Sequence, residues 1–315
     1  MTHRRAVLFF CADLAVDPVA RHVFEASRRH LPLVETGAEV DNMPVLAYRD
    51  DAGREFVYVR TADVLSHDYP RYLPLLTGSF SGFDIGCVVN WHEGANAPDG
   101  IFMAHTTGDV ASGLYGPADP GLTTSVLRAI ERVRLEAGLE RYRTVTEATH
   151  WSGVVHGHAP ELLTRYDVPL LDVEIGSTPA SWADPDAVDV LARALPRIFD
   201  EEVPRASSVL FVGGVHFEPS IRAAVLDAGA GPIAVSHILA NHWLMAGGYD
   251  QPGGEEKLEA CCRTILGGVD ALVYHDSLKG PVKSRVRAVA ERLGIESFNH
   301  RRLRDPEPLP IRKLS

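Results

Sequence analysis

Short apolar runs that recur between amphipathic segments restrict this chain more than any other feature. Residues 5–11 (RAVLFFC) are continuously apolar, the mark of a strand buried on both faces. Residues 84–90 (DIGCVVN), 101–105 (IFMAH), 208–214 (SVLFVGG), 232–236 and 269–275 (VDALVYH) repeat the type. Residues 36–60 instead alternate as a hairpin does, around Asp51-Ala52-Gly53. Helices are predicted between the runs. Val126, Leu127, Ile130, Val133 and Leu135 lie close to one face of a helix over 124–139, after a Gly/Pro-rich loop at 112–122. Asp17-Pro18, Asp184-Pro185, Glu218-Pro219 and Gly280-Pro281 each read as a helix start, because proline fits the first helical position. A further helix covers 255–266. The order predicts an α/β fold with a mixed, mostly parallel sheet flanked by helices on both faces. The expected organisation is one compact unit over 1–315. A smaller subdomain is built around 36–120, and an extended tail over 303–315 carries Pro306, Pro308 and Pro310.

In such sheets ligands bind beyond the carboxyl ends of the strands. Those ends carry His92, His105, Glu174, His216, His237, and His275 with Asp276. Packing gives histidines no reason to gather at one edge. Imidazole is the usual ligand and proton carrier at neutral pH. The stretch 145–182 adds Glu147 and His150. His150, Glu174, His216 and His237 are candidate catalytic residues. The first three are the candidate metal ligands, an arrangement that suits a zinc with a position open to water. His156 and His158 sit in a glycine-containing loop and read as exposed. Backbone N–H groups at Gly176-Ser177 and Gly213-Gly214 are candidate donors to a developing oxyanion. The Ser177 hydroxyl reads as an anion contact or a cap. Trp91, Trp151 and Trp182 each adjoin a motif, placed to stack on a ring or to fill core.

Several chemistries are excluded. There is no Gly-x-x-x-x-Gly-Lys-Ser/Thr loop, no Gly-x-Gly-x-x-Gly after the first strand, and no Gly-x-Ser-x-Gly elbow. Cys11, Cys87, Cys261 and Cys262 form no Cys-x-x-Cys pair, so buried thiols are expected. No apolar run approaches membrane-spanning length, and the start of the chain reads as a strand, so a cytoplasmic protein is expected. The net charge of −11 argues against a broadly basic nucleic-acid face.

Several blocks resemble the archaeal and plant type of D-aminoacyl-tRNA deacylase. They are Glu147-Ala148-Thr149-His150, Val173-Glu174-Ile175-Gly176-Ser177-Thr178 with Trp182, Gly213-Gly214-Val215-His216, and Ser236-His237-Ile238. Asp17-Pro18, Asn90-Trp91-His92, Ala104-His105-Thr106-Thr107-Gly108 and Asp276-Ser277-Leu278-Lys279-Gly280 follow in the same order. The resemblance implies a phosphorylase/hydrolase-like α/β fold, hydrolysis of the ester of D-aminoacyl-tRNA, and zinc as cofactor. His92, His105, Trp151, Gly176, Ser177, Thr178, Gly213 and Gly214 then become candidate substrate contacts. The chain departs from the family at Trp151, where a second histidine is usual, and at Glu218, whose charge would repel a phosphate. Two alternatives keep the scaffold: an acyl hydrolase or acyltransferase for a small-molecule ester, and a non-catalytic tRNA- or nucleotide-binding protein.

Overall fold

The computed structural model describes residues 4–94, 96–200, 206–226, 233–304, 309 and 311. The strands in chain order begin with β1 (Arg5–Cys11), β2 (Val34–Val40), β3 (Met43–Arg49), β4 (Glu55–Thr61), β5 (Ile85–Glu93) and β6 (Ile101–Thr106). The short β7 (Gly108–Asp109) and β8 (Leu114–Tyr115) follow, then β9 (Arg143–Thr146) and β10 (Leu170–Ser177). The last are β11 (Ser207–Val212), β12 (Ile233–Leu239), β13 (Ala271–Tyr274) and β14 (Glu296–Asn299).

Eight strands form the main sheet in the order β2-β3-β4-β1-β5-β10-β6-β9. Its centre, β4-β1-β5-β10, is parallel. The hairpin β2-β3 adds an antiparallel edge, and β6 enters antiparallel to β10 with β9 parallel to it. A second sheet, β12-β11-β13-β14, is parallel throughout. This is the mixed α/β class expected. β1 pairs with a strand on each edge, and Ala6 through Phe10 are buried without alternation, so both its faces are covered as well. The helix Pro120–Glu136 packs on β6 and β9 of the main sheet and on β12 of the second, so it joins the two layers. Among the described residues no helix is long and apolar enough to cross a membrane.

Most expected elements appear with shifted ends. The helix expected over 124–139 begins at Pro120, because Asp119 caps it by accepting from Leu122 N–H at 2.9 Å. The Gly/Pro-rich loop is thus shorter than expected, and it also holds β8. β5 runs on to Glu93 because β10 pairs with it as far as Ser177, so Trp91 and His92 are strand residues. β9 is a strand that the alternation did not announce. Pro232 and most of the expected tail lie outside the described residues. Leu303 and Arg304 belong to a 3₁₀ turn, and Leu309 and Ile311 pack on the main core.

Candidate active site

Inside otherwise apolar strands, polar residues appear at every second position near the carboxyl ends. Asn90 and His92 do so on β5, and Asp172 and Glu174 on β10. A strand's side chains alternate between faces, so each pair shares one face. Register then brings the pairs together. Glu174 stands opposite Asn90, and Asp172 stands opposite His105 of β6. The antiparallel entry of β6 is what carries its terminal His105 back beside Asp172.

The second half of the site comes from loops. β9 ends at Thr146, and Glu147 and His150 follow it directly. Ala148 N–H donates to the His216 carbonyl at 2.9 Å, and Thr149 N–H donates to the Ile238 carbonyl at 2.8 Å. This segment therefore stitches the main sheet to the second one and holds His216 against it. The resulting pocket, about 420 Å³, is lined by His92, His105, His150, His216, Asn90, Asp172 and Glu174, with His67, Trp91 and His156 among its other walls. Its volume is in the range of small-molecule sites.

Glu147 is the hub. Its side chain is shut off from solvent, and Oε1 lies 2.6 Å from His216 Nε2 and 3.3 Å from His92 Nε2. Burial disfavours its charge, but His105, His216 and His92 outweigh burial and hold it well below the usual carboxylate range. Burial equally opposes a charged His105, yet Glu147, Glu174 and Asp172 raise its pKa to about 10. Glu174 goes the other way. Burial and the Glu147 charge push it up to about 7, although His105 Nε2 lies 3.4 Å away. His150 is held neutral, lowered to about 3 by burial and by the charge of His105. Its Nδ1–H donates to the Ala148 carbonyl at 2.9 Å, which leaves Nε2 as an acceptor or ligand. The ring stacks on His105, with centroids 3.8 Å apart, and on Trp243. Among the described residues three triads, His92–Glu147–His216, His105–Glu147–His150 and His105–Asp172–Glu174, each bring three ligand atoms within 4.8 Å of one another, and the expected set of His150, Glu174 and His216 is not one of them. Glu147 Oε2 and Glu174 Oε2 are buried without a hydrogen-bond partner. Orphaned carboxylate oxygens among imidazoles are a donor set that fits a divalent transition metal.

Of the candidates, His150, Glu174, His216, His92 and His105 meet in this pocket. His237 does not. It is fully buried on β12, with Nδ1 2.8 Å from Thr106 Oγ1 and Nε2 3.2 Å from Thr264 Oγ1, and its ring packs on Tyr115. Burial lowers it to about 3, so the ring is neutral, and the hydroxyls of Thr106 and Thr264 occupy both its nitrogens. Trp151 also lies outside the pocket. Its backbone is extended, so its side chain points away from that of His150 and packs edge-on against Tyr69. Gly153 lies beneath the indole, where a Cβ would come within 2.3 Å of Trp151 Cζ2. The indole therefore fills core. Ser177 Oγ sits 3.1 Å from His92 Nδ1 and so positions that ring. Gly176 leaves room for His92, whose Cβ would stand 3.0 Å from an added Cβ. Thr178 donates to Asp99 instead of facing the pocket.

The expected backbone donors are mostly engaged. Gly213 N–H donates to the Leu239 carbonyl, and Ser177 N–H reaches Asp99 at 3.4 Å. Gly214 packs on Glu218, so the glycine pair belongs to the second sheet's turn. His156 stands at the pocket wall, its ring 4.0 Å from that of His67, while His158 meets the His67 carbonyl. Asp172, His67 and Trp243 carry no motif in the sequence, and Asn90 enters only within the Asn90-Trp91-His92 block. For Asp172 and Asn90 the signal was present: a polar residue two places before another inside an apolar strand.

The fold and this pocket define an α/β protein with a buried histidine–carboxylate site. A profile of the D-aminoacyl-tRNA deacylase family matches residues 80–298, and the chain belongs to that family. It is 29% identical over 288 residues to a D-aminoacyl-tRNA deacylase of Pyrobaculum islandicum, covering 89% of this chain and 94% of the relative. It is 28% identical to that of Pyrobaculum neutrophilum over 72% of this chain and 76% of the relative. The match to the Haloarcula marismortui protein, 29% identical, spans 61% of this chain but only 42% of that longer relative. A solved structure described as a conserved protein of unknown function shares the fold, with a TM-score of 0.73 at 18% identity over 99% of both chains.

Proposed function

We propose that the chain hydrolyses the ester joining a D-amino acid to tRNA, with zinc held by His92, Glu147 and His216. The observation that carries this reading is Glu147, a buried anion clamped by His92 and His216, two imidazoles that line a pocket fit for an aminoacyl group. Zinc bound there would supply a Lewis acid for the ester carbonyl or acidify a water. The chain's own groups do the remaining work. Glu174, with a pKa of about 7 and a free Oε2, takes the proton of the attacking water. His105, a buried cation, holds Glu174 in place and offsets the negative charge that develops as water adds to the carbonyl carbon. When the carbon–oxygen bond of the ester breaks, protonated Glu174 returns its proton to the departing ribose oxygen. His150 presents its neutral Nε2 to the substrate amine. A cytoplasmic setting goes with this substrate.

The test is release of labelled amino acid from D-aminoacyl-tRNA by purified protein. Turnover well above spontaneous hydrolysis is the expected result. Turnover only on small acyl esters, or tight tRNA binding with no turnover, would overturn it in favour of a small-molecule hydrolase or a sensor.

A further inference from the structure

Beside the histidine pocket lies a second cavity of about 320 Å³, walled by Pro98, Arg143, Val145, Phe217, Pro219 and Arg222, with Thr146 and Glu218 at its base. Phe217 is the partition between the two. Its ring lies 4.8 Å from that of His216 and 5.3 Å from that of His92, centroid to centroid, and it packs on Ile101, Met103 and Val145. The two arginines differ in their engagement. Arg222 is fixed by the Thr144 carbonyl at 2.8 Å and by Glu131 at 3.6 Å. Arg143 is exposed at the start of β9 and forms no ion pair among the described residues. Glu218 places a carboxylate in the same cavity. Yet it is buried, and it accepts from Ser220 N–H at 3.2 Å, Ser220 O–H at 2.7 Å and Val215 N–H at 3.4 Å. Those donors take up its charge, and the accessible charge in the cavity is the guanidinium of Arg143.

We infer that this second cavity binds the nucleotide adjoining the scissile ester, with Arg143 on its phosphate and the Phe217 ring facing its base. The inference rests on the reading of the substrate as an aminoacyl-tRNA. It goes further by assigning where the single-stranded 3′ end leaves the catalytic pocket. A cation with no internal partner and an aromatic face are the elements from which sequence-tolerant single-strand sites are built. A guanidinium suits a phosphate because its donors form a planar fork. The placement also answers the charge problem of an acidic chain with a polyanionic substrate, since a local arginine suffices where a broad basic face is missing.

Arg143 is exposed, so Arg143→Gln should fold. Two readouts test the assignment. The first is the ratio of kcat/KM on D-aminoacyl-tRNA to that on the D-aminoacyl ester of adenosine, which lacks the phosphate. It should fall about tenfold in Arg143→Gln, with partial rescue in Arg143→Lys. An unchanged ratio overturns the assignment. The second is affinity for a short single-stranded RNA ending in CCA, which needs no turnover. Arg143→Gln should bind about tenfold more weakly, with a salt slope lower by about one. Equal affinity and slope in both proteins overturn the assignment even if the wild type turns over neither ester. That last result would sink the proposed activity by itself.

Discussion

His216 Nε2 and Glu147 Oε1 pair at 2.6 Å, joining the loop after the second sheet's β11 to the residue that follows β9 of the main sheet. The bond closes the pocket between two layers. Glu147 cannot turn to water, because its side chain is fully enclosed. If the pair acts as one unit, its variants should not add. Glu147→Gln and His216→Ala should each lower kcat/KM on D-aminoacyl-tRNA by about 100-fold, and the double variant by little more. Additive losses in the double-mutant cycle would separate the two roles.

The proposed role of Glu174 as base predicts a pH dependence. A base must be deprotonated to act, so kcat/KM should rise with pH up to about 7 and then level. His105 must stay charged, so a second, falling limb is expected towards pH 10. Both apparent values belong to the coupled cluster. Glu174→Gln should remove the rising limb together with most of the activity. A flat profile of the wild type between pH 5.5 and 8.5 would rule out Glu174 as the base.

The proposed zinc predicts metal dependence. Protein dialysed against a strong chelator should lose turnover and regain it on zinc addition, and His92→Ala should bind zinc at least about 10-fold more weakly. Undiminished turnover by protein shown to be metal-free would leave the imidazoles and carboxylates to act alone.

His237 should matter to stability and not to chemistry. His237→Ala removes one partner each from the hydroxyls of Thr106 and Thr264 and opens a cavity, at a cost of about 2–4 kcal/mol. Denaturant unfolding should show that loss, while kcat/KM below the unfolding temperature changes less than about threefold. A large fall in kcat/KM with stability retained would return His237 to the site.

Asp17 gives a separate test, far from the chemistry in role. Its Oδ1 accepts from Val19 and Ala20 N–H, and burial raises its pKa from 3.8 to about 7. A carboxyl whose folded pKa lies above its unfolded one binds more protons when folded, so stability falls as pH rises between those values. Asp17→Asn keeps the acceptor and removes the charge. The variant should match the wild type near pH 4 and exceed it at pH 8, by about 4 kcal/mol at most. Parallel unfolding curves at both pH values would contradict the sign.

The order of strands and helices was legible because burial on both faces leaves an uninterrupted apolar run, as in β1. Ends were harder. Glu93 is strand only because Ser177, far along the chain, pairs with it, and no local pattern announces that. In the site, the histidines stood out as residue types, but their grouping did not. Asp172 meets His105 through an antiparallel register that a chain reading as mostly parallel does not suggest. Glu147 was noticed as a neighbour of His150, whereas its central position depends on His92 and His216 arriving from two other elements. Trp151 looked like a lost ligand beside His150. Extended backbone turns the two side chains apart, so its identity bears on the core and leaves the pocket's donors unchanged.

The most direct measurement is the rate of ester hydrolysis by the wild-type protein on D-aminoacyl-tRNA beside the matching L-aminoacyl-tRNA. The expected result is rapid release from the D-ester, with the L-ester decaying near its spontaneous rate. Release from the D-ester no faster than spontaneous, with zinc supplied and the fold intact, would contradict the proposed activity.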